Sequence, residues 1–166
     1  MDYKALIHQV PDFPKPGVMF KDISPLLQNS VTLESLVKDL GALVDHTKID
    51  SFVGIESRGF ILAAALAFHF KKGFIPLRKA GKLPPPTFHE KFKLEYGEAA
   101  LEIRPGSGRV VIVDDVLATG GTLQAALNLN KKAGYTVEDI LVLINLRFLN
   151  KFIWRLKEVK SLIQYD

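Results

Sequence analysis

A chain of 166 residues with 48% apolar and 24% charged side chains is long enough for one well-packed domain and too apolar for disorder. It has no cysteine, which excludes disulfides, thiolate zinc sites and cysteine nucleophiles and fits a reducing compartment. The net charge of +4 and pI near 9.2 invite a nucleic-acid reading, yet the basic residues are scattered, apart from Arg78, Lys79 and Lys82 and a group around Arg147, Lys151, Arg155 and Lys157. That distribution suits a small polyanionic substrate better than a phosphate backbone. The opening MDYKALIHQV lacks the basic and long apolar stretches of a secretory signal, and the apolar run at 60–70 is too short for a bilayer. The expectation is a soluble, cytoplasmic protein with neither membrane nor nucleic acid as a partner.

In chain order, residues 2–9 read as a short helix with Tyr3, Ile7 and Val10 turned inward. The proline-dense segment PDFPKPGVMFKDISP, 11–25, is expected to be an ordered, irregular loop of the kind that carries function. Leu33, Leu36, Val37, Leu40, Leu43 and Val44 then recur at helical spacing, with Ser30 or Thr32 as the cap. A strand at 51–55, a turn at Glu56-Ser57-Arg58-Gly59, a helix rich in Ala and Leu through 60–70 and a strand at 73–77 compose a parallel strand-helix-strand unit. Residues 79–91, with Pro84-Pro85-Pro86, are expected to project as a loop or flap, and 92–103, broken at Gly97, as a hairpin-like excursion. RVVIV reads as a buried strand, 121–133 as the helix behind it, 137–145 as another apolar strand and 159–165 as an edge strand.

Short apolar strands alternating with helices predict a single α/β domain over 1–166: an open, mainly parallel twisted sheet flanked by helices on both faces. Ligands of such sheets lie beyond the carboxyl ends of the strands. That places Glu56, Arg58, Arg78, Lys79, Lys82 and the segment 114–122 on one rim.

The most informative stretch is VVIVDDVLATGGT, 110–122. Two acids at the end of a buried strand would be costly inside and are more useful at the rim. The following Ala118, Thr119, Gly120, Gly121 and Thr122 lead into a helix whose open N-terminus presents unpaired amides to an anion. Acids cannot hold a phosphate, but they accept hydrogen bonds from vicinal hydroxyls. The pairing describes a phosphorylated sugar, with its diol on the Asp114–Asp115 side and its phosphate in the loop. Neither GxxxxGK[ST] nor GxGxxG with a helix behind it is present.

This stretch resembles the phosphoribosyl diphosphate signature of the type I phosphoribosyltransferases. The likeness extends over the whole chain and is greatest to the adenine-using members. PDFPKPGVMFKDISPLL is similar to their base-binding loop, IESRGF to their first anion-binding turn, IPLRKAGKLP to their arginine-lysine segment, and LEYGEAALEI to the returning arm of a flexible flap. The resemblance implies a small hood over 1–30, a flap over 79–97, and transfer of the 5-phosphoribosyl group from phosphoribosyl diphosphate to adenine, giving AMP and diphosphate. It implies a homodimer, and Mg2+ held mainly by the substrate's diphosphate and ribose oxygens rather than by protein ligands. His8, His46, His69 and His89 have no ligand spacing.

By the same resemblance, Asp114 and Asp115 receive the ribose hydroxyls and residues 118–122 hold the 5-phosphate. Arg58, Arg78, Lys79 and Lys82 face the diphosphate. Phe20 stacks on the base, Val18 and Lys21 offer backbone groups to its amino edge, and Leu146 packs against it. Glu95 and Tyr96, on the flap, carry the acid-base role. Three positions depart from the family pattern: Glu56 where Asp is usual, Lys21 where Arg is common, and Asn145 in place of an acid. The connection RPGSGR, 104–109, is also shorter than usual. Two alternatives stay open, a transferase for 6-oxopurines and a regulator that senses phosphoribosyl diphosphate without turning it over.

Overall fold

A computed structural model describes residues 1–94 and 97–166. Contacts divide the chain into two compact units, Met1–Asp39 and Leu40–Asp166. In the first, the expected helix at 2–9 is a single 3-10 turn, Lys4–Leu6, followed by strand β1 (His8–Val10). Tyr3 and Ile7 are buried as expected, but Val10 is exposed. Strand β2 (Phe20–Asp22) pairs antiparallel with β1, placing Lys21 opposite Gln9. The pairing takes up backbone groups that the short helix would have used internally. Helix α1 (Ser24–Gln28) and helix α2 (Ser30–Gly41) follow. The cap of α2 is Asn29, whose Oδ1 accepts from the Thr32 N–H at 3.0 Å and the Thr32 hydroxyl at 3.2 Å. Ser30 and Thr32, expected as caps, lie inside the first turn, and the side chain one residue earlier satisfies its amides.

The second unit carries β3 (Ser51–Ile55), α3 (Arg58–His69), β4 (Gly73–Lys79), β5 (Phe88–Leu94), β6 (Gly97–Ile103), β7 (Gly108–Leu117), α4 (Gly121–Ala133) and β8 (Tyr135–Leu146). Two-residue strands β9 (Ile153–Trp154) and β10 (Lys157–Glu158) form a small ribbon before β11 (Lys160–Tyr165). The seven-stranded sheet runs β11-β8-β7-β3-β4-β6-β5. It is parallel from β11 to β4 and antiparallel at β4-β6 and β6-β5. The open, mainly parallel α/β architecture is therefore as expected, and β5 and β6 are the hairpin, beginning at Phe88 rather than 92.

Helix α4 covers one face, packing Leu123, Ala126 and Leu129 with Val53, Ile55, Val110, Ile112, Ile140 and Val142. Helix α3 covers the other, its Ala63 methyl set against Gly54 of the central strand β3. The alternation of these residues along β3 and β7 explains why 52–55 and 110–113 are apolar throughout: neither stretch has a solvent face. Since β3, β7 and β8 are parallel, Glu56, Asp114 and Leu146 all fall at the carboxyl end of the sheet. No helix among the described residues is long and apolar enough to cross a membrane.

Candidate active site

Strand β7 does not stop at Val113 but continues through both acids to Leu117. Asp114 and Asp115 are consequently 9% and 7% exposed, not displayed on an open rim. The neighbouring strands hold the backbone extended here, because Asp114 pairs in register with Val142 and Val116 with Ile144. Asp114 Oδ1 accepts from the Asp115 N–H at 2.9 Å. Arg58 Nη2, from the first turn of α3, lies 2.7 Å from Asp115 Oδ2, an ion pair without hydrogen-bond alignment. Burial pushes the Asp114 carboxyl well above the ordinary aspartate range, and the Asp115 charge pushes it further. Burial also raises Asp115, with Arg58 the largest opposing influence. Arg58, expected to face diphosphate, is thus committed at least in part to balancing a buried acid.

Gly59 allows that arrangement. A Cβ there would stand 2.8 Å from the Val113 carbonyl oxygen and 3.0 Å from Asp114 Oδ1, so only glycine lets the start of α3 approach β7 so closely. Gly120, by contrast, is needed for its conformation. It caps α4 in the left-handed region, with φ 93°, and its missing side chain leaves room for the Phe152 ring. No side chain caps α4, and the Gln124 N–H returns to the Gly120 carbonyl at 3.0 Å. The N–H groups of Gly121 and Thr122, in the turn before that bond, lie at the positive end of the helix. Ala118, Thr119 and Thr122 border the same turn and are partly or fully exposed. The loop has the geometry of an anion site beside two acids.

The cations of β4 are less free than expected. Glu56 accepts from Arg78 Nη2 at 3.1 Å and Nε at 3.2 Å, a two-pronged contact. It also accepts from the Lys79 N–H at 2.9 Å. Hydrogen bonding to Arg78 holds the Glu56 carboxyl below its ordinary range against the opposing effect of burial. The longer side chain at position 56 therefore reaches Arg78 with both carboxylate oxygens. Lys79 and Lys82 have exposed side chains. The segment expected as a flap is partly regular: Lys79 ends β4, residues 88–94 belong to β5, and among the described residues only 80–87 are irregular. Glu95 and Tyr96 lie outside the described residues.

Within the amino-terminal unit, Phe20 is partly exposed and meets Phe13 edge-to-face at 5.1 Å between centroids. The Val18 N–H donates to the Lys15 carbonyl and its own carbonyl accepts from the Phe13 N–H, both at 3.2 Å. The second lone pair of that carbonyl is what Val18 has left for a ligand donor. Lys21 is 7% exposed, and its ammonium donates to Gln9 Oε1 at 2.5 Å. Burial, helped by the Lys4 charge, lowers its pKa. Its side chain serves the fold of this unit. In the other unit, Leu146 ends β8 and is nearly buried, and the amide of Asn145 accepts from Asn150 Nδ2 at 3.1 Å. Asn145, which departs from the acid of the family pattern, is thus a neutral, paired residue. Sequence reading missed Asn150, Phe152 and Glu102; each acts through a contact distant in sequence, and no local pattern marks it.

The matches to known proteins agree with this geometry. Residues 30–147 match the model of the phosphoribosyl transferase domain, and the chain belongs to the phosphoribosyltransferase family. A relative from Bdellovibrio bacteriovorus is 61% identical over 165 residues, covering 99% of this chain and all of its own. The crystal structure of the Rhodothermus marinus protein superposes with a TM-score of 0.89 at 42% identity, covering 98% of this chain and 96% of its own. That of the Giardia lamblia protein, complexed with 9-deazaadenine, gives 0.88 at 36% identity, covering 99% and 97%. All three are adenine phosphoribosyltransferases, and within the family this chain stands with them.

The buried acid pair has a stability consequence whose sign follows from the raised pKa values. Between the ordinary aspartate value of 3.8 and the raised one, the native state binds more protons than the unfolded chain, so stability falls as pH rises through that window. Asp114→Asn removes this penalty while keeping an Oδ1 acceptor for the Asp115 N–H. At pH 7 it should raise Tm by a few degrees. At about pH 3, where both states are protonated, the difference should vanish. Thermal melts at the two pH values check this; an unchanged or lower Tm at pH 7 would refute it.

Proposed function

We propose that this chain transfers the 5-phosphoribosyl group of phosphoribosyl diphosphate to adenine, releasing diphosphate and forming AMP. One observation carries the reading: two buried carboxylates stand immediately before an uncapped helix start, so diol acceptors and phosphate donors lie side by side at one strand end. The solved relatives support adenine as the base, one of them holding the adenine analogue 9-deazaadenine.

In this reading Asp114 and Asp115 accept from the ribose hydroxyls. Their burial makes those bonds strong, because water does not compete for the carboxylates. Residues 118–122 hold the 5-phosphate through the backbone of the α4 turn and the hydroxyls of Thr119 and Thr122. As the glycosidic bond breaks, negative charge gathers on the departing diphosphate. Arg78, Lys79 and Lys82 stabilise it, and Arg58 stays with Asp115 to keep the sugar-binding acids ionised. Family resemblance assigns Phe20 to stack on the purine and the Val18 carbonyl to accept from its exocyclic amine, and by the same resemblance Leu146 is an apolar contact of the base. Glu95 and Tyr96 are assigned the acid-base role on family resemblance, and lid closure over the cation would exclude water.

The donor set at the site, carboxylate oxygens without nitrogen or sulfur ligands, suits a hard cation such as Mg2+. Bound through the substrate, Mg2+ would neutralise diphosphate charge, and Asp114 and Asp115 are the carboxylates that would help hold it. Dimerisation and a cytoplasmic location belong to the same proposal and rest on the family likeness. For the dimer there is further support in α3, where Ile61 and Phe68 leave apolar surface uncovered, Phe68 being 89% exposed.

Steady-state turnover with phosphoribosyl diphosphate and Mg2+ tests the reaction: diphosphate release should depend on adenine, and equal or faster turnover of hypoxanthine would overturn the base assignment. Roles at the sugar are separated by variants. Asp114→Asn and Asp115→Asn each remove a charge-assisted bond of about 1.5–3 kcal/mol, lowering kcat/KM roughly ten- to a hundred-fold. Thr122→Ala and Gly120→Val should erase the advantage of ribose 5-phosphate over ribose as an inhibitor, whereas the Asp variants should preserve it. Gly120→Val should be the harsher of the two loop variants, because Val resists a φ of 93° and would meet Phe152. Wild-type kcat/KM in the Asp variants would contradict the assignment. For assembly, sedimentation at micromolar concentration should give twice the mass of 18.5 kDa, and a monomer would count against the dimer.

A further inference from the structure

Glu102, on β6, is 1% exposed and takes no part in the roles assigned above. A carboxylate this deep ordinarily resists ionisation, yet its pKa lies below the usual range. Burial is the largest influence and raises it, but the backbone N–H groups of Gly81, Leu83 and Lys82 together outweigh burial. The Lys82 and Leu83 N–H groups both reach Oε1 at 2.5 Å. His89 Nδ1 stands 3.7 Å from Oε2. Glu102 is thus an internal anion filling the concave backbone of 81–83, much as a bound phosphate fills an anion-binding turn.

The same loop joins the cations. Glu102 is the register partner of Arg78 across the β4–β6 pair, and the Ala80 N–H donates to the Ala100 carbonyl at 2.9 Å. Arg78 Nη1 donates to the Lys82 carbonyl at 3.3 Å, and its other nitrogens are held by Glu56. A continuous chain of bonds therefore runs from Glu56 through Arg78 and the Lys82 carbonyl to the Lys82 N–H and Glu102. An irregular segment with Gly81 and three successive prolines would otherwise have to be ordered by the ligand, which weakens binding by the entropy lost.

We propose that Glu102 is a positioning residue for the leaving group: by filling the 81–83 turn from inside, it prearranges Arg78 and Lys82 for diphosphate. A corollary distinguishes the two anion-binding segments. The amides of 81–83 are occupied by Glu102, so diphosphate is held there by side chains, whereas the 5-phosphate is held largely by the amides of the α4 turn. The proposal rests on the reading of Arg78 and Lys82 as diphosphate-facing cations.

Product inhibition by diphosphate is the measurement. Glu102→Leu, similar in size but without an acceptor, should raise the inhibition constant for diphosphate and the KM for phosphoribosyl diphosphate about tenfold or more. Inhibition by ribose 5-phosphate and the KM for adenine should stay within roughly twofold. Glu102→Gln keeps the oxygen that accepts both N–H groups and should restore most of the wild-type behaviour. Diphosphate inhibition unchanged in Glu102→Leu, or Glu102→Gln as damaging as Glu102→Leu, overturns the proposal. Arg78→Ala and Lys82→Ala separate the two levels. If both leave diphosphate inhibition untouched, the leaving-group reading fails and the proposal with it; if they weaken it while Glu102→Leu does not, the positioning role alone fails. Should Glu102→Leu not fold, amide exchange in the wild-type protein decides: the Lys82 and Leu83 amides should exchange slowly and be unmoved by diphosphate. Fast exchange, or a shift on adding diphosphate, overturns the proposal.

Discussion

The arrangement of the site follows from one electrostatic constraint, that two adjacent carboxylates are buried at the end of a central strand. Asp114 and Asp115 repel each other and lose hydration, and both effects favour their neutral forms. What offsets this is local: the Arg58 guanidinium on Asp115 and one backbone N–H on Asp114. For Arg58 to arrive, α3 must begin almost in contact with β7, which requires Gly59. The start of α3, the turn after β3 and the extension of β7 to Leu117 are thus parts of one solution. Such a solution leaves the acids costly in energy, and in the proposed function the hydroxyl donors of a sugar would offset that cost.

The cations show the complementary pattern. Arg58, Arg78 and the turn that carries Lys82 are each tied to a carboxylate, from Asp115, Glu56 and Glu102 respectively. Pairing of this kind weakens the field of each cation at a distance but fixes where it stands. For a reaction whose leaving group is a polyanion, fixed position matters more than unscreened charge, since unpaired lysines and arginines would spend binding energy on becoming ordered. Glu56, one methylene longer than the aspartate usual at its position, is what reaches Arg78 with both oxygens.

Much of this was legible in the chain itself. The α4 boundaries, the parallel β3–β4 pair, the hairpin and the position of the glycine turn follow from periodicity and from glycine and proline placement, all local properties of the backbone. The acid pair and the phosphate turn are contiguous in sequence, so they could be recognised together. What failed to show was set by distant partners. Nothing near Asp114 says that β8 will continue the ladder past Val113, so the acids read as exposed. The cap of α2 is the exception: Asn29 directly precedes Ser30 and bonds to Thr32 three residues on, so a local signal was there.

The sequence by itself determined the class of fold, the location of the acid pair and glycine turn, and the residue types available for chemistry, because these depend on short-range patterns of polarity and backbone preference. Only the tertiary structure decided how deeply the acids are buried and which carboxylates pair with Arg58 and Arg78. Burial and pairing depend on which strands lie side by side: β6 brings Glu102 beneath residues 81–83, 20 positions away along the chain, and β7 sets Asp115 against an arginine from a different element. Electrostatic energies change steeply over a few ångströms of separation and with the exclusion of water. They are therefore properties of the packed sheet and not of the letters that compose it.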